Sequence, residues 1–275
     1  PVFRGMFESE GLKVGAALVA AELLLKNEVD VAFSFAGGLH HAGADFACGF
    51  CVFGDGAVAI KRMIAAGWRV AYIDIDAHHG DGVQAAFYDD PRVLTISFHE
   101  SGKFLFPGTG FTDELGTGEG VGYSVNIPFS PFTDDETFLW AFDAVVPPLL
   151  NRFAPDVVVA QLGVDAHWRD PLTHLALTTQ GLEALFQRIH QLSPRWLAVG
   201  GGGYEADVVP RAWTLAWGAM TDQTFSNDLP AAVADGYDLP YLHDSDPAPL
   251  TPSQTQPARL AAEAAVKALR QALQF

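Results

Sequence analysis

The chain has 275 residues, of which 49% are hydrophobic and 18% are charged. A single α/β domain with a large core suits this length, and the sequence contains no run of about 18 apolar residues that would span a membrane. The 33 acidic and 16 basic residues give a formal net charge of −17, which repels nucleic-acid phosphates but tolerates cationic partners. We therefore expect a soluble globular protein with no membrane segment and no direct nucleic-acid partner.

The cysteines and the N-terminus bear on the cellular location of the protein. Cys48 and Cys51 are the two cysteines in the sequence, and they cannot form a disulfide framework. Their spacing is that of a redox or metal site, but one such pair without a second pair or a thioredoxin-like context is a weak signal, and we expect two buried thiols. The N-terminus lacks the order of charged, apolar and small residues that is typical of a signal peptide. We expect a cytoplasmic protein, and a chain that opens at Pro1 is expected to begin inside a longer product.

Short β-branched runs alternate along the chain with longer segments whose apolar residues recur at helical spacing. In chain order we predict a helix over 10–26, a strand over 29–35, a helix over 54–66, strands over 69–76 and 93–98, a helix over 133–153, a strand over 156–162, a helix over 179–191, a strand over 195–200 and a helix over 208–220. This alternation is typical of repeated βαβ units. It predicts a mostly parallel sheet that is covered by helices on both faces.

Two stretches do not follow this alternation. Residues 100–122 are rich in glycine and form a long excursion of the kind that often carries function. After residue 222 the composition shifts toward Asp, Pro, Ser and Thr. We expect 244–257 to be the most mobile segment, followed by a final helix over 258–273.

Ligands of parallel α/β sheets bind beyond the carboxyl ends of the strands. Four of the five predicted strands end in polar or glycine-rich clusters, which are Gly-Gly-Leu-His-His at 37–41, Asp-Ile-Asp-Ala-His-His-Gly-Asp-Gly at 74–82, Gln-Leu-Gly-Val-Asp at 161–165 and Gly-Gly-Gly-Gly-Tyr at 200–204. The candidate functional residues should therefore meet at one edge of the sheet.

The cluster at 74–82 has the composition of a metal site. Asp74, Asp76 and His78 share a face at the end of a strand, because side chains two residues apart point the same way. A lone Asp-x-Asp is most simply a helix cap, but this run is richer than a cap requires. Carboxylate and imidazole donors suit Zn²⁺, and a catalytic zinc keeps three protein ligands. Asp165, at the end of another strand, is the best placed third ligand, with a helix N-cap as its alternative role.

Paired histidines and one tyrosine accompany this candidate metal site. A single histidine is more often structural, but the pair His40 and His41 beside a metal cluster favours proton transfer, with Asp74 and Asp81 available to fix the tautomers. Tyr204 follows four glycines. It is either an ordinary half-buried tyrosine in a flexible turn or a hydrogen-bond donor to a developing oxyanion.

Two phenylalanines stand in glycine-flanked loops. Most phenylalanines belong to a core, but Phe50 and Phe106, displayed between glycines, are also suited to wall an apolar slot for a straight alkyl chain. The glycine run at 200–203 lacks the spacing of a phosphate-binding loop. No nucleotide is implied.

The motifs together resemble the histone-deacetylase superfamily in identity, order and spacing. They are Gly-Gly-Leu-His-His-Ala at 37–42, Gly-Phe-Cys at 49–51, the run at 74–82, Phe-Pro-Gly-Thr-Gly at 106–110, Gln-Leu-Gly-Val-Asp at 161–165 and Gly-Gly-Gly-Tyr at 201–204. The start of the chain and Ala-Gly-Gly-Leu-His-His-Ala are most similar to the bacterial acetoin-utilisation deacetylases. The resemblance covers about residues 1–217.

The resemblance implies an arginase-like, three-layer α/β/α fold around a parallel sheet of eight strands. Fewer strands are expected here, because family members have roughly a hundred more residues before the position of Pro1, within the size of one domain. Residues 1–243 would then form the deacetylase catalytic domain without its N-terminal part. Residues 244–275 would form a Pro/Ser/Thr-rich linker and a C-terminal helix that packs on the same domain.

The resemblance also implies roles for individual residues. Asp76, His78 and Asp165 would bind zinc, with iron as the alternative metal. His41, backed by Asp81, would be the general base and acid, and His40, backed by Asp74, its electrostatic partner. Tyr204 would polarise the acetyl carbonyl. The substrate channel would be lined by Gly49, Phe50, Phe106, Leu172 and Gly202. Structural potassium would bind at Asp74, Asp76, His78, Ser97 and Phe98, and at a second, looser site formed by Phe87, Asp90, Val93 and Tyr123.

The implied reaction is zinc-dependent hydrolysis of an acetylated amine, N-acetyl-lysine in proteins, with release of acetate. An acetylpolyamine amidohydrolase is an alternative with a small substrate. A binuclear manganese ureohydrolase on the same kind of fold is another enzyme, and a catalytically silent binding module or fragment is an alternative of a different class.

Overall fold

A sheet of six parallel strands forms the centre of the computed structural model, which describes residues 2–237 and 239–275. The strands are β1 (Val31–Ser34), β2 (Val70–Asp74), β3 (Val93–Glu100), β4 (Ser124–Phe129), β5 (Val157–Gln161) and β6 (Trp196–Val199). Their order across the sheet is β1-β6-β5-β2-β3-β4, and each neighbouring pair runs parallel. The expected mostly parallel sheet is confirmed.

Helices cover both faces of this sheet. They are α1 (Met6–Leu25), α2 (Asp55–Ala65), α3 (Asp81–Ala86), α4 (Asp135–Phe153), α5 (Thr179–Leu192), α6 (Val208–Met220), α7 (Ala231–Tyr237) and α8 (Pro252–Leu273), with a short 3₁₀ turn at Gly118–Gly120. In the described part of the chain, no helix combines the length and the apolar character that crossing a membrane requires.

Alternation along the central strands divides the core into two layers. On β2, Val70 and Tyr72 pack with residues of α1 and α2, whereas Ala71 and Ile73 pack with residues of α4, α5, α6 and α8. Successive side chains of a strand point to opposite faces, so each central strand contributes to both layers. All five residues of β2 are buried, which is typical of a parallel strand covered on both sides. The three-layer α/β/α architecture is confirmed.

Strand β4 is an element that the sequence analysis missed. It reads Ser-Val-Asn-Ile-Pro-Phe, so polar residues and Pro128 interrupt its apolar pattern. The strand lies at the edge of the sheet beside β3. An edge position tolerates proline because one side of the strand has no ladder to complete.

The segment from 244 onward differs from the expected mobile linker. Asp244 Oδ2 lies 2.7 Å from Nε2 of the buried His167 and accepts from the Thr179 backbone N–H at 3.0 Å, while Oδ1 accepts from Arg211 Nη1 at 3.0 Å. Burial alone raises the pKa of Asp244, but the hydrogen bond from His167 outweighs it and holds the pKa well below its usual range. The composition of residues 244–257 predicted mobility, because composition does not show that Asp244 has buried hydrogen-bond partners.

The last helix also begins earlier than expected. Helix α8 starts at Pro252, and Thr251 and Gln254 form a capping box at its N-terminus. Proline in the first turn of a helix sacrifices no intrahelical hydrogen bond, which explains why this position starts a helix. The helix packs against α4 and β4.

We predict that Asp244→Asn lowers the free energy of unfolding by about 3 kcal/mol, because it removes the carboxylate charge that pairs with the buried Arg211 and His167. Of its two described carboxylate contacts, Arg211 keeps only the longer one, with Asp207, at 3.6 Å. Arg211 and Asp244 side chains are 4% and 7% exposed. Urea denaturation followed by circular dichroism measures the effect.

Asp246→Asn is the matched control, because Asp246 is exposed and its carboxylate bonds only to the neighbouring Ser245 hydroxyl among the contacts described. Its unfolding free energy should stay within about 0.5 kcal/mol of the parent chain. Equal stability of the two variants would contradict a supporting role for Asp244.

Candidate active site

The carboxyl ends of two adjacent strands bring the predicted metal ligands together. Strands β2 and β5 are neighbours in the sheet, and Asp76 and Asp165 follow them. One donor atom from each of Asp76, His78 and Asp165 lies within 4.8 Å of the other two. His78 Nδ1 is 3.1 Å from Asp76 Oδ1 and 2.9 Å from Asp165 Oδ2. Both carboxylates are buried, and the histidine is nearly so.

The alternative role of Asp165 as a helix cap is wrong. No helix follows it until α5, which begins at Thr179. Instead Asp165 Oδ1 accepts a hydrogen bond from the Ala77 backbone N–H at 2.7 Å, which ties the loop after β5 to the loop after β2. This bond leaves Oδ2 directed at His78.

The donor set fits a divalent cation. Burial, together with the neighbouring Asp76 charge, raises the pKa of Asp165 to about 7. Two buried carboxylates around one imidazole repel each other, and a cation between them removes that repulsion. Carboxylate and imidazole are the donors that zinc and iron share in such three-ligand sites.

Glycines make room for this cluster. A side-chain carbon at Gly163 would lie 2.2 Å from Asp76 Oδ2, and one at Gly202 would lie 2.1 Å from Asp165 Oδ2. The Gly202 backbone N–H also donates to Asp76 Oδ2 at 2.7 Å. The glycine run therefore allows the backbone to approach the carboxylates directly, which side chains at these positions would prevent.

The two histidines lie against each other with a carboxylate behind each ring. His40 Nδ1 is 2.8 Å from Asp74 Oδ2, His41 Nδ1 is 2.7 Å from Asp81 Oδ1, and the two Nε2 atoms are 3.0 Å apart. Burial alone lowers the pKa of His40, but the charges of Asp74 and Asp76 outweigh it and raise it to about 9. Burial and the neighbouring His40 charge lower the pKa of His41. The pair is thus asymmetric, because the pKa of His40 is raised and that of His41 is lowered.

Asp55 fixes the loop that carries these histidines. It is the first residue of α2 and is buried. Its carboxylate accepts from the backbone N–H groups of Gly38 and Leu39, at 3.0 and 2.9 Å. Gly38 has φ 90° and packs so closely on Gly200 that a side chain would meet its carbonyl carbon at 2.4 Å. Glycine is required there by both the backbone angle and the contact.

Tyr204 lies at the exposed end of the site. The Tyr204 ring is 41% exposed and lies 6.0 Å from the Phe50 ring, centroid to centroid. Burial of its other side, with the charges of Asp165 and Asp76, raises the pKa of the Tyr204 hydroxyl. The phenol is therefore a hydrogen-bond donor at neutral pH.

The predicted channel residues include three partly exposed apolar side chains and a glycine. Phe50 is 80% exposed, and Phe106 and Leu172 are 46% and 43% exposed. The Phe106 ring lies 5.1 Å from the His41 ring, edge to face. Gly49 touches the same histidine so closely that a side chain there would lie 2.3 Å from His41 Cδ2. The loops of Gly49 and Phe106 thus meet at His41, and the loop of Leu172 is joined to the Tyr204 turn through Asp170.

The turn that displays Phe50 is a two-residue hairpin. Cys48 and Cys51 exchange both backbone hydrogen bonds, at 3.0 and 2.7 Å, and Gly49 and Phe50 between them have φ 52° and 63°. Two left-handed residues in a hairpin form the turn type that suits the twist of the flanking strands. Cys51 is buried as expected, whereas Cys48 is only half-buried. Both thiols are free.

Comparisons with known proteins agree with this arrangement. A model of the histone deacetylase domain matches residues 1–220. The chain belongs to the histone deacetylase family.

The acetoin utilization protein AcuC of Bacillus subtilis (strain 168) is 46% identical over 240 residues, which are 84% of this chain and 61% of that protein. AcuC of Staphylococcus aureus (strain COL) is 41% identical over 228 residues, 80% of this chain and 59% of its own length. The chain thus spans about three fifths of the length of these curated relatives. The expected similarity to acetoin-utilisation proteins is confirmed.

Among solved structures, an HDAC homolog from Aquifex aeolicus superposes with a TM-score of 0.88 at 32% identity, covering 97% of this chain and 75% of that one. A structure of an HDAC homolog complexed with SAHA gives the same values. The fold of the histone deacetylase family therefore extends over nearly the whole chain.

Several supporting residues of this family member were missed by the sequence analysis. Gln161 donates from Nε2 to Asp76 Oδ2 at 2.8 Å, and the Tyr72 hydroxyl donates to Asp74 Oδ2 at 2.8 Å. Tyr72 stands two residues before Asp74 and therefore shares its face, which is a signal the sequence carries. Gln161 is a polar residue that ends an apolar strand, and this is a second usable signal.

A buried histidine pair supports the loop that carries Phe106. His79 Nδ1 lies 2.8 Å from Thr109 Oγ1, and His99 Nε2 lies 2.9 Å from the Gly110 carbonyl oxygen. Burial lowers the pKa of both histidines, so they act as neutral hydrogen-bonding groups. The sequence analysis included His79 in a motif without a role and did not single out His99.

The two potassium sites stay predictions. In the first set, Asp74 and Ser97 are register partners across β2 and β3, while Phe98 is fully buried. In the second set, the Phe87 carbonyl accepts from the Asp90 N–H at 3.1 Å, and the Asp90 carbonyl accepts from the Val93 N–H at 3.2 Å. The residues of each set are therefore close in space, at opposite ends of β3.

We predict that Gly202→Ala weakens Zn²⁺ binding about tenfold or more, because the added methyl group displaces the Asp165 carboxylate. Disturbing the groups that hold metal ligands typically lowers metal affinity by about 10–100-fold. Titration of the metal-free protein with Zn²⁺ against a competing chelator measures the affinity.

Gly15→Ala is the control, because Gly15 lies in α1 and an added side-chain carbon there has no neighbour within 4 Å. The control should bind Zn²⁺ like the parent chain. Unchanged affinity in the Gly202 variant would show that the metal lies elsewhere.

Proposed function

We propose that this chain carries the active site of a metal-dependent deacetylase that hydrolyses N-acetyl-lysine in proteins and releases acetate. The observation that carries the proposal is the convergence of three kinds of group at one edge of the sheet. These are a cation-binding triad, a histidine pair with carboxylates behind it, and a protonated tyrosine. Residues 1–243 are assigned to this catalytic domain and 244–275 to its C-terminal extension.

Asp76, His78 and Asp165 are the residues that would hold the ion, which we assign as zinc, with iron as the alternative. A divalent ion supplies a Lewis acid for the acetyl carbonyl and lowers the pKa of water toward about 7. The acetyl group must therefore enter between this triad and Tyr204.

His41 is suited to remove a proton from the attacking water. Its lowered pKa favours the neutral imidazole, and the bond from Nδ1 to Asp81 makes Nε2 the acceptor atom, which exchanges its 3.0 Å contact with His40 Nε2 for the attacking water. As the amide C–N bond breaks, the leaving nitrogen takes a proton from the pair. His40, protonated and held by Asp74, stabilises negative charge nearby. One water is consumed, and acetate and a free amine are released.

Tyr204 is suited to hold the negative charge that develops on the carbonyl oxygen. Its hydroxyl has no hydrogen-bond partner among the described residues, so it is free to donate to a substrate. Donors aimed at a developing oxyanion are among the largest contributions to such catalysis.

The apolar residues predicted to line the substrate channel favour a straight alkyl chain. The side chain of lysine has such a chain. Phe50, Phe106 and Leu172 offer apolar surface, which suits the methylene groups between the acetyl nitrogen and the peptide backbone. In acetylputrescine an ammonium takes the position of the lysine Cα. Apolar side chains at the mouth offer that charge no ion pair.

We predict that Tyr204→Phe lowers kcat by about 100-fold while Zn²⁺ remains bound, because it removes one oxyanion donor and no metal ligand. Turnover of a fluorogenic acetyl-lysine peptide, with metal content measured on the same sample, tests this. Tyr241→Phe is the control, since Tyr241 is also 41% exposed. It should retain full turnover, and an unchanged rate in the Tyr204 variant would remove this residue from the mechanism.

We further predict that kcat/KM for an acetyl-lysine peptide exceeds that for acetylputrescine by about tenfold or more. The peptide gains contacts at the exposed aromatic rim and carries no uncompensated ammonium there. The reverse preference would favour the acetylpolyamine amidohydrolase.

Metal analysis separates the remaining alternatives. One ion per chain is expected, whereas two manganese ions would favour a binuclear ureohydrolase. A silent binding module predicts bound zinc and acetyl-lysine affinity without release of acetate.

A further inference from the structure

Asp170 connects two loops that contribute to the candidate site. It lies in the loop that follows β5 and is 7% exposed. Its Oδ1 accepts from the Leu172 backbone N–H at 2.9 Å, and its Oδ2 accepts from the Tyr204 backbone N–H at 2.9 Å. One carboxylate thus spans from the loop after β5 to the glycine turn after β6.

We propose that Asp170 is a positioning residue, which sets the place of Tyr204 relative to the substrate channel wall at Leu172. The inference rests on the proposed function, since it concerns the oxyanion donor of that reaction. Asp170 acts through the two backbone N–H groups and touches neither substrate nor metal ligand.

The chain before Tyr204 does not fix the tyrosine by itself. Gly201 and Gly203 have φ 154° and 155°, in a run of four glycines whose backbone is intrinsically free. The tyrosine ring is 41% exposed, so packing holds only part of it. The hydrogen bond to Asp170 is therefore the polar contact that locates the residue.

Asp170 itself is held on a well-supported loop. Its backbone N–H donates to the His167 carbonyl at 2.9 Å, and the His167 ring is bound by Asp244. Arg169, the preceding residue, forms an ion pair with Asp207, three residues after Tyr204. The backbone that carries the Asp170 carboxylate is thus held in place, so the carboxylate can position the tyrosine.

Asparagine is the informative substitution at this position. It keeps the size of the side chain, but it has one acceptor oxygen and an NH₂ group that donates. In Asp170→Asn one of the two backbone N–H groups therefore faces another donor. The loop keeps its packing while losing one of its two links.

The experiment uses the zinc-loaded chain and compares Asp170→Asn, Tyr204→Phe and the double variant, with Asp143→Asn as the control. Asp143 is an exposed carboxylate of α4 that bonds Arg188. Rates with the acetyl-lysine peptide, zinc content and amide hydrogen exchange are measured for each.

We expect Asp170→Asn to lower kcat about tenfold with KM within about threefold, at unchanged zinc content. In the Tyr204→Phe background the same change should cost less than about twofold, because the group it positions is gone. A merely structural role, through loss of folded protein, would lower both backgrounds equally. Equal losses would overturn the proposal.

Amide exchange provides a readout that does not need activity. In Asp170→Asn, exchange in a peptide containing Tyr204 or Leu172 should accelerate about tenfold, while peptides of β2 stay protected. Unchanged exchange in both peptides would overturn the inference even in an inactive chain. If the parent chain lacks deacetylase activity but exchange responds as expected, the proposed function fails and the positioning contact stands.

Discussion

The burial of two carboxylates beside one imidazole is the constraint around which the site is built. Removing an ion from water costs several kcal/mol, so buried carboxylates such as Asp76 and Asp165 require compensating hydrogen-bond donors or positive charge. Backbone N–H groups of Ala77 and Gly202 and the Gln161 amide point at them. Backbone groups approach this closely only where no side chain intervenes. The buried carboxylates therefore require glycine at positions 163 and 202, where a side chain would collide with them.

The same constraint shapes the histidine pair. His40 lies 3.8 Å from Asp76 as well as beside Asp74, so the negative charges of the metal cluster favour its protonated form. His41, one residue further, faces Asp81 at the half-exposed start of α3 and feels the charge of His40. Two chemically identical side chains thereby acquire opposite proton preferences. That difference is what a base and its electrostatic partner require.

The sequence predicted the site better than it predicted the contacts that support it. Asp76, His78 and Asp165 were found because strand ends converge in parallel sheets, a rule that needs only element order. Strand β4 was missed because Pro128 breaks its pattern. The role of Asp244 was missed because its partners, His167 and Arg211, are distant in sequence. For Asp170 the sequence carries a local signal only for its turn bond to Leu172, whereas its bond to Tyr204 joins residues 34 positions apart.

The loop over residues 165–172 shows why such distant contacts matter. It begins at the predicted metal ligand Asp165, ends at the predicted channel residue Leu172 and contains no helix or strand. Ordering each of its residues costs about 1–2 kcal/mol, which local hydrogen bonds alone do not offset. Asp244 holds it from the C-terminal segment, and Asp170 ties it to the Tyr204 turn. The C-terminal segment therefore helps to support the candidate site, because Asp244 fixes a loop that also bonds the Tyr204 turn.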